Sequence, residues 1–258
     1  MSWVVWVPQA AVALGYHFPA ASSTSPFNAL AVWGPGLAAI IVCTLAAGKA
    51  GVRDLCRPLR YWRVGLGWYA FVILFPVAQW VAALGLDRLF GRTYELGSSP
   101  VLAALGPQAA AMLPVLVIFA FPNALGEELG WRGFALPKLQ TRYSALLASI
   151  ILGLFWGLWH VPIWIAQNHA GTSTLTVLWM VLSTVPAAVL FTWVYSNTRG
   201  SLLPVWLLHV SIASTGYFVP ALPTPTQGAV SWVVALLIIA ARGPAWLSKP
   251  VAQAQPQA

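Results

Sequence analysis

The chain has 258 residues, of which 59% are hydrophobic and only 7% are charged, with a net charge of +8. A soluble domain carries about 25% charged residues, so this composition excludes a water-facing globular surface and leaves lipid as the solvent. Nucleic acid is excluded as the partner of the basic residues, which are few and lie between apolar segments.

A membrane-spanning helix needs about 20 mostly apolar residues. Taken in chain order, the candidate segments are 2–16, 27–48, 65–86, 107–131, 147–167, 174–195, 201–219 and 228–247. The first is short and carries Pro8. The pattern predicts an all-α, polytopic transmembrane helix bundle of about eight helices, folded as a single membrane domain over residues 1–258. Residues 87–106 read as a loop, and 251–258 as a disordered tail rich in Gln, Ala and Pro. No Lys or Arg precedes Lys49, so the N-terminus lacks the basic region of a signal peptide and is expected to be retained. Cys43 and Cys56 form neither a disulfide framework nor a thiolate metal site.

The basic residues test this topology. With the N-terminus inside, the inner segments carry Lys49, Arg53, Arg57, Arg60, Arg63, Arg132, Lys138, Arg142, Arg199, Arg242 and Lys249. The outer loops carry only Arg88 and Arg92. That asymmetry is what the positive-inside rule predicts for a multi-pass protein of a bacterial inner membrane, with the N-terminus cytoplasmic. The segment 53–63 alternates basic and apolar residues and reads as an element lying on anionic headgroups, which makes membrane lipids an expected partner. Nothing in the sequence indicates an oligomeric state.

Of five acidic residues, Asp54, Asp87 and Glu95 fall in predicted loops. Glu127 and Glu128 fall in or at the end of an apolar helix. Ionisable groups at membrane depth cost several kcal/mol and are functional by default. Glu128 and Arg132 are spaced i,i+4 and can pair. Glu127 points about 100° away and needs another explanation. Pro122 is expected to kink the helix just before the pair. His160 and His209 lie on two other apolar segments. Gly153 and Gly157 share the stripe of His160 and let another helix approach closely. His17 and His169 fall in predicted outer loops. Two carboxylates and two imidazoles can activate water by general base catalysis, hold a zinc ion with one open position, or relay protons in a transporter.

The run Glu127-Glu128-Leu-Gly-Trp-Arg132 resembles the Glu-Glu-x-x-x-Arg motif of the CPBP family, which includes CAAX prenyl endopeptidases of the Rce type and abortive-infection and bacteriocin-processing relatives. Trp156 through His160 is similar to its Phe-x-x-x-His motif, and the segment Asn197–His209 to the approach to its His-x-x-x-Asn motif. The resemblance spans residues 27–219. It implies an eight-helix intramembrane endopeptidase whose cavity opens toward the cytosol and whose client is a membrane-associated protein or peptide. By that resemblance Glu127 is the base that activates water, and His160 shares or orients the water. His209 stabilises the oxyanion, while Glu128 and Arg132 support the site. A metal-dependent version would place zinc on Glu127, His160 and His209; a metal-free glutamate mechanism is the alternative. Two positions depart from the motifs. Trp156 replaces Phe, and Ala213 stands where Asn or Asp is usual, removing one oxyanion donor at a cost of about 10²–10³ in rate. That loss keeps a catalytically silent membrane regulator or immunity-type factor as the alternative function. A proton-coupled transporter ranks last, because internal repeats are lacking. Depth raises a conflict as well. A helix starting at Ala145 puts His160 about 22 Å along it, past the level expected for Glu127 and His209.

Overall fold

The computed structural model describes residues 1–18, 27–92, 99–168, 173–219 and 224–248. Its elements are α1 (Ser2–Ala13), α2 (Phe27–Val32), α3 (Gly34–Cys56), a 3-10 turn (Arg57–Arg60), α4 (Leu66–Leu89), α5 (Pro100–Leu105), a second 3-10 turn (Gly106–Gln108), α6 (Ala109–Glu128), a π-helical stretch (Leu129–Ala135), α7 (Leu136–Gln140), α8 (Ala145–Asn168), α9 (Thr174–Asn197), α10 (Leu202–Phe218) and α11 (Thr224–Arg242). The all-α bundle is as expected. Among the described residues six helices are long and apolar enough to cross a membrane, and α1 and α10 are shorter apolar helices.

The elements differ from the expected ones in four places. With 12 residues, α1 is about 18 Å long, short of a bilayer core of about 30 Å. It docks on the middle of α8: Trp3 Nε1 donates to the Trp159 carbonyl at 3.1 Å, and Trp159 Nε1 donates to Ser2 Oγ at 2.9 Å. The segment expected at 27–48 is divided. α2 precedes α3, and α3 turns sharply at Ala47 and Gly48, where Gly48 takes a φ of 58°, before running on to Cys56. The fourth helix does not stop near 131 but continues through the π-helical stretch and α7 to Gln140. The expected 87–106 loop contains α5, and both Asp54 and Asp87 lie in helices rather than loops. Asp87 is buried and accepts from Thr226 Oγ1 at 2.7 Å and from Arg92 at 3.2 Å. Glu95, His169, Lys249 and the 251–258 tail lie outside the described residues.

Small residues set how closely the helices pack. A Cβ on Gly153 would lie 2.7 Å from Val185 Cα, and one on Gly157 would lie 2.9 Å from Val181 Cα. The stripe therefore receives the backbone of α9, as its spacing predicts. Ser149 Oγ donates to Thr192 Oγ1 at 2.7 Å across the same interface. On the other side, Trp68 and Phe71 of α4 meet Trp193 of α9 edge-on at 4.9 and 5.2 Å.

One end of the bundle collects the basic segments. Ser201 Oγ donates to the Tyr61 carbonyl at 2.7 Å, Asn197 Nδ2 to the Leu247 carbonyl at 2.8 Å, and the Ala145 amide to the Ala245 carbonyl at 2.8 Å. Leu55, Leu129 and Leu202 pack together beneath them. These contacts gather the end of α3, the turn after it, the start of α8, the α9–α10 turn and the end of α11 at one level. Arg60, Arg63, Arg199 and Arg242 belong to that end. Arg88 and Arg92 belong to the far end of α4. The charge asymmetry of the sequence is therefore a real separation in space.

Candidate active site

The π-helical stretch follows Glu128 directly, and π turns widen a helix and recur at functional sites. Glu128 and Arg132 still meet across it: Arg132 Nη1 donates to Glu128 Oε1 at 2.8 Å, and both side chains are fully buried. A buried guanidinium paired with one carboxylate needs further compensation. Arg132 finds it between two aromatic faces, its Cζ 4.4 Å from the Trp156 ring and 4.2 Å from the Phe191 ring.

Glu128 has a second partner. His209 Nδ1 donates to Glu128 Oε1 at 2.7 Å. That bond fixes the imidazole so that Nε2 faces Glu127, whose Oε1 lies 4.0 Å away. The His209 side chain is 15% exposed, while Glu128 is sealed. The result is a chain of contacts, Arg132 to Glu128 to His209, ending at an imidazole nitrogen directed toward a second carboxylate. Phe191 and Trp156 meet the His209 ring edge-on, each at 5.8 Å, and limit its rotation.

Glu127 is 6% exposed. Its Oε2 accepts from the indole nitrogen of Trp156 at 2.8 Å. Sequence reasoning treats Trp156 as an apolar replacement for Phe and misses this donor. The available signal is chemical: Trp is the one large apolar aromatic that carries an N–H.

His160 lies on the other side of Trp156. Its Nδ1 donates to the Trp156 carbonyl at 2.9 Å, and its ring stacks on Trp164 at 5.0 Å with an interplanar angle of 8°. Trp159 closes a further edge at 4.6 Å. No direct hydrogen bond joins His160 to either glutamate. The depth conflict is thereby explained: α8 does start at Ala145, and Trp156, one turn before His160, is the residue level with Glu127.

Among the described residues Nε2 of His160 and of His209 makes no hydrogen bond, which suits a metal ligand, yet Glu127, His160 and His209 form no metal-holding cluster. Among the described residues no group of three or more His, Cys, Asp or Glu is arranged to hold a metal ion. The donors as placed among the described residues do not fit zinc. Ala213 packs against Ala120, Ala124 and Val210 and places no donor at the site. Ser211 Oγ is directed to the Ile73 carbonyl on α4 at 3.1 Å and does not replace it.

Residues 109–215 match the family described as Type II CAAX prenyl endopeptidase Rce1-like. That stretch, less than half of the chain, is similar to this family. The Rce1-like segment holds Glu127, Glu128, Arg132, Trp156, His160 and His209 together. The chain is also 36% identical over 105 residues to CAAX prenyl protease 2 of Methanococcus maripaludis, a match covering 39% of this chain and 38% of that relative. The match thus spans well under half of either protein.

Proposed function

We propose that the protein is an intramembrane endopeptidase that hydrolyses a peptide bond of a membrane-associated protein or peptide through water activated by Glu127. The observation that carries this reading is the facing of Glu127 and His209 Nε2 within a buried site, with His209 held from behind by Glu128 and Arg132. The matched family and the relative named CAAX prenyl protease 2 support the reaction class.

In the proposed reaction, water enters beside Glu127 Oε1. Glu127 takes a proton from the water as its oxygen attacks the scissile carbonyl carbon. The new C–O bond moves the carbonyl electrons onto oxygen. With both carboxylates ionised and Arg132 cationic, the cluster holds one net negative charge. A protonated His209 balances that charge and donates from Nε2 to the oxyanion. Collapse of the tetrahedral species breaks the C–N bond, and Glu127 returns its proton to the departing amine. Trp156 holds Oε2 of Glu127, so that Oε1 is the oxygen offered to water. His160 shapes the approach from the side of Trp164.

The relative's name makes a prenylated C-terminal peptide the first substrate to test, and the basic end is assigned to the cytoplasmic side of a bacterial inner membrane. The experiment incubates the protein in proteoliposomes with a membrane-anchored peptide in prenylated and unprenylated forms, and mass spectrometry reads the products. A new C-terminus in the prenylated form is expected. Intact peptide in both forms, from folded protein, counts against the assignment.

Ala213 favours a second reading. Its position among Ala120, Ala124 and Val210 leaves the site without a third donor. A catalytically silent membrane regulator would keep its biological effect in a folded Glu127→Gln variant, whereas the endopeptidase would lose it.

A further inference from the structure

The basic end of the bundle holds a pocket that the proposed chemistry does not use. It measures about 400 Å³ and is lined by Arg60, Tyr61, Trp62, Arg63 and Arg199. The three guanidinium groups come from two segments far apart in sequence. Among the described residues none of them has a carboxylate within 4.0 Å; the salt bridges involve Asp87, Glu127 and Glu128 only. Like charges gathered at one place repel unless an anion joins them.

The pocket is built rather than accidental. Three consecutive carbonyls in its wall are each occupied by a side-chain donor. Tyr61 accepts from Ser201 Oγ, Trp62 from the Tyr69 hydroxyl, and Arg63 from Arg199. The first two bonds fix the segment before α4, and the third ties Arg199 to it with one of the five N–H donors of its guanidinium. Arg63 is held over the Trp62 ring at 4.8 Å. Arg199 takes a φ of 59°, and Gly200 follows at 72°. A left-handed conformation is unfavourable for a residue with a Cβ, and it persists where the surroundings over-determine it. Here it lets the Arg199 side chain reach across to the Arg63 carbonyl.

We propose that this pocket binds the phosphate of an anionic phospholipid headgroup. The shared chemistry is a phosphate oxyanion on three arginines. The choice of a lipid over a soluble phosphate rests on the rim: Tyr61 and Trp62 are exposed aromatics of the kind found at headgroup level, and the exposed Leu66 opens the apolar helix α4 directly beside them.

Native mass spectrometry of the detergent-solubilised protein with phosphatidylglycerol or phosphatidylcholine tests the assignment. Wild type is expected to retain one phosphatidylglycerol in preference to phosphatidylcholine. The Arg60→Gln/Arg63→Gln variant is expected to lose that preference by about tenfold or more, at roughly a factor of five per charge. Arg60→Gln alone is the safeguard for folding, since among the described residues the Arg60 side chain makes no hydrogen bond, and it is expected to lose part of the preference. Arg53→Gln/Arg57→Gln removes two charges outside the pocket and is expected to retain the lipid. Equal loss in both double variants would mean diffuse surface attraction and would overturn the pocket. Unchanged retention in the Arg60 variants would overturn it as well. Displacement of the lipid by inorganic phosphate alone, with equal affinity, would overturn the lipid as the occupant.

Discussion

Trp156 donates its indole N–H to Glu127 at 2.8 Å while its ring covers the Arg132 guanidinium at 4.4 Å. One side chain therefore positions the proposed base and caps the cation that anchors Glu128. Both contacts are buried, and both depend on a residue that hydropathy alone treats as filler.

The first expected outcome concerns that donor. Trp156→Phe keeps an aromatic face beneath Arg132 and removes the N–H. A hydrogen bond to a charged group contributes about 1.5–3 kcal/mol, so peptide cleavage should slow by one to two orders of magnitude. Steady-state kinetics beside a thermal melt checks this. A wild-type rate in the variant would show that Glu127 needs no positioning from Trp156.

The buried ion pair leads to a second. Arg132→Ala strips Glu128 of its cation in a fully sealed site. Removing one partner of a buried pair costs about 3–5 kcal/mol. The variant should melt well below wild type in detergent. Glu128→Ala/Arg132→Ala together should recover part of the loss, since neither charge is then stranded. A double variant no more stable than Arg132→Ala would mean that packing, not charge, dominates there.

Helix packing supplies a third. A Cβ on Gly157 would lie 2.6 Å from Thr184 Oγ1 and 2.9 Å from Val181 Cα, whereas one on Gly216 would meet nothing within 4 Å. Gly157→Val should destabilise by about 1–3 kcal/mol through overpacking, and Gly216→Ala should not. Thermal denaturation of the two variants separates them. Equal stability would show that α8 and α9 separate at little cost.

Much of this arrangement is legible in the sequence because membranes tolerate few ionisable groups. Glu127, Glu128 and His209 stand out against apolar neighbours, and the structure brings them to one place. The Gly153 and Gly157 stripe marks the α9 contact for a similar reason, since only small residues admit a backbone so closely. Other features were hidden by physical causes. His160 shares a helix with Trp156, and its expected distance from Glu127 depended on the rotation of α8 about its axis, which spacing leaves open. Asp87 sits within the last turn of α4, where a helix end and a loop have the same composition. Its burial comes from Thr226 and Arg92, partners distant from one another in sequence. The short reach of α1 and the continuation of the fourth helix through a π turn depend on docking against Trp159 and on widening after Glu128, and neither leaves a periodic trace.

The separation of basic ends gives a fourth outcome. With Cys43 and Cys56 replaced, single cysteines at Arg63 and Arg199 should react with an impermeant thiol reagent from the same side of a sealed vesicle. A cysteine at Arg88 should react from the other side. Labelling of all three from one side would contradict the arrangement of α4 and the α9–α10 turn.

The most direct measurement is cleavage of a membrane-anchored peptide by wild type and by Glu127→Gln, with both proteins shown to be folded. Loss of activity by about 10²–10⁴ is expected if Glu127 is the general base. A folded Glu127→Gln protein that cleaves at the wild-type rate would contradict glutamate-activated water at this site.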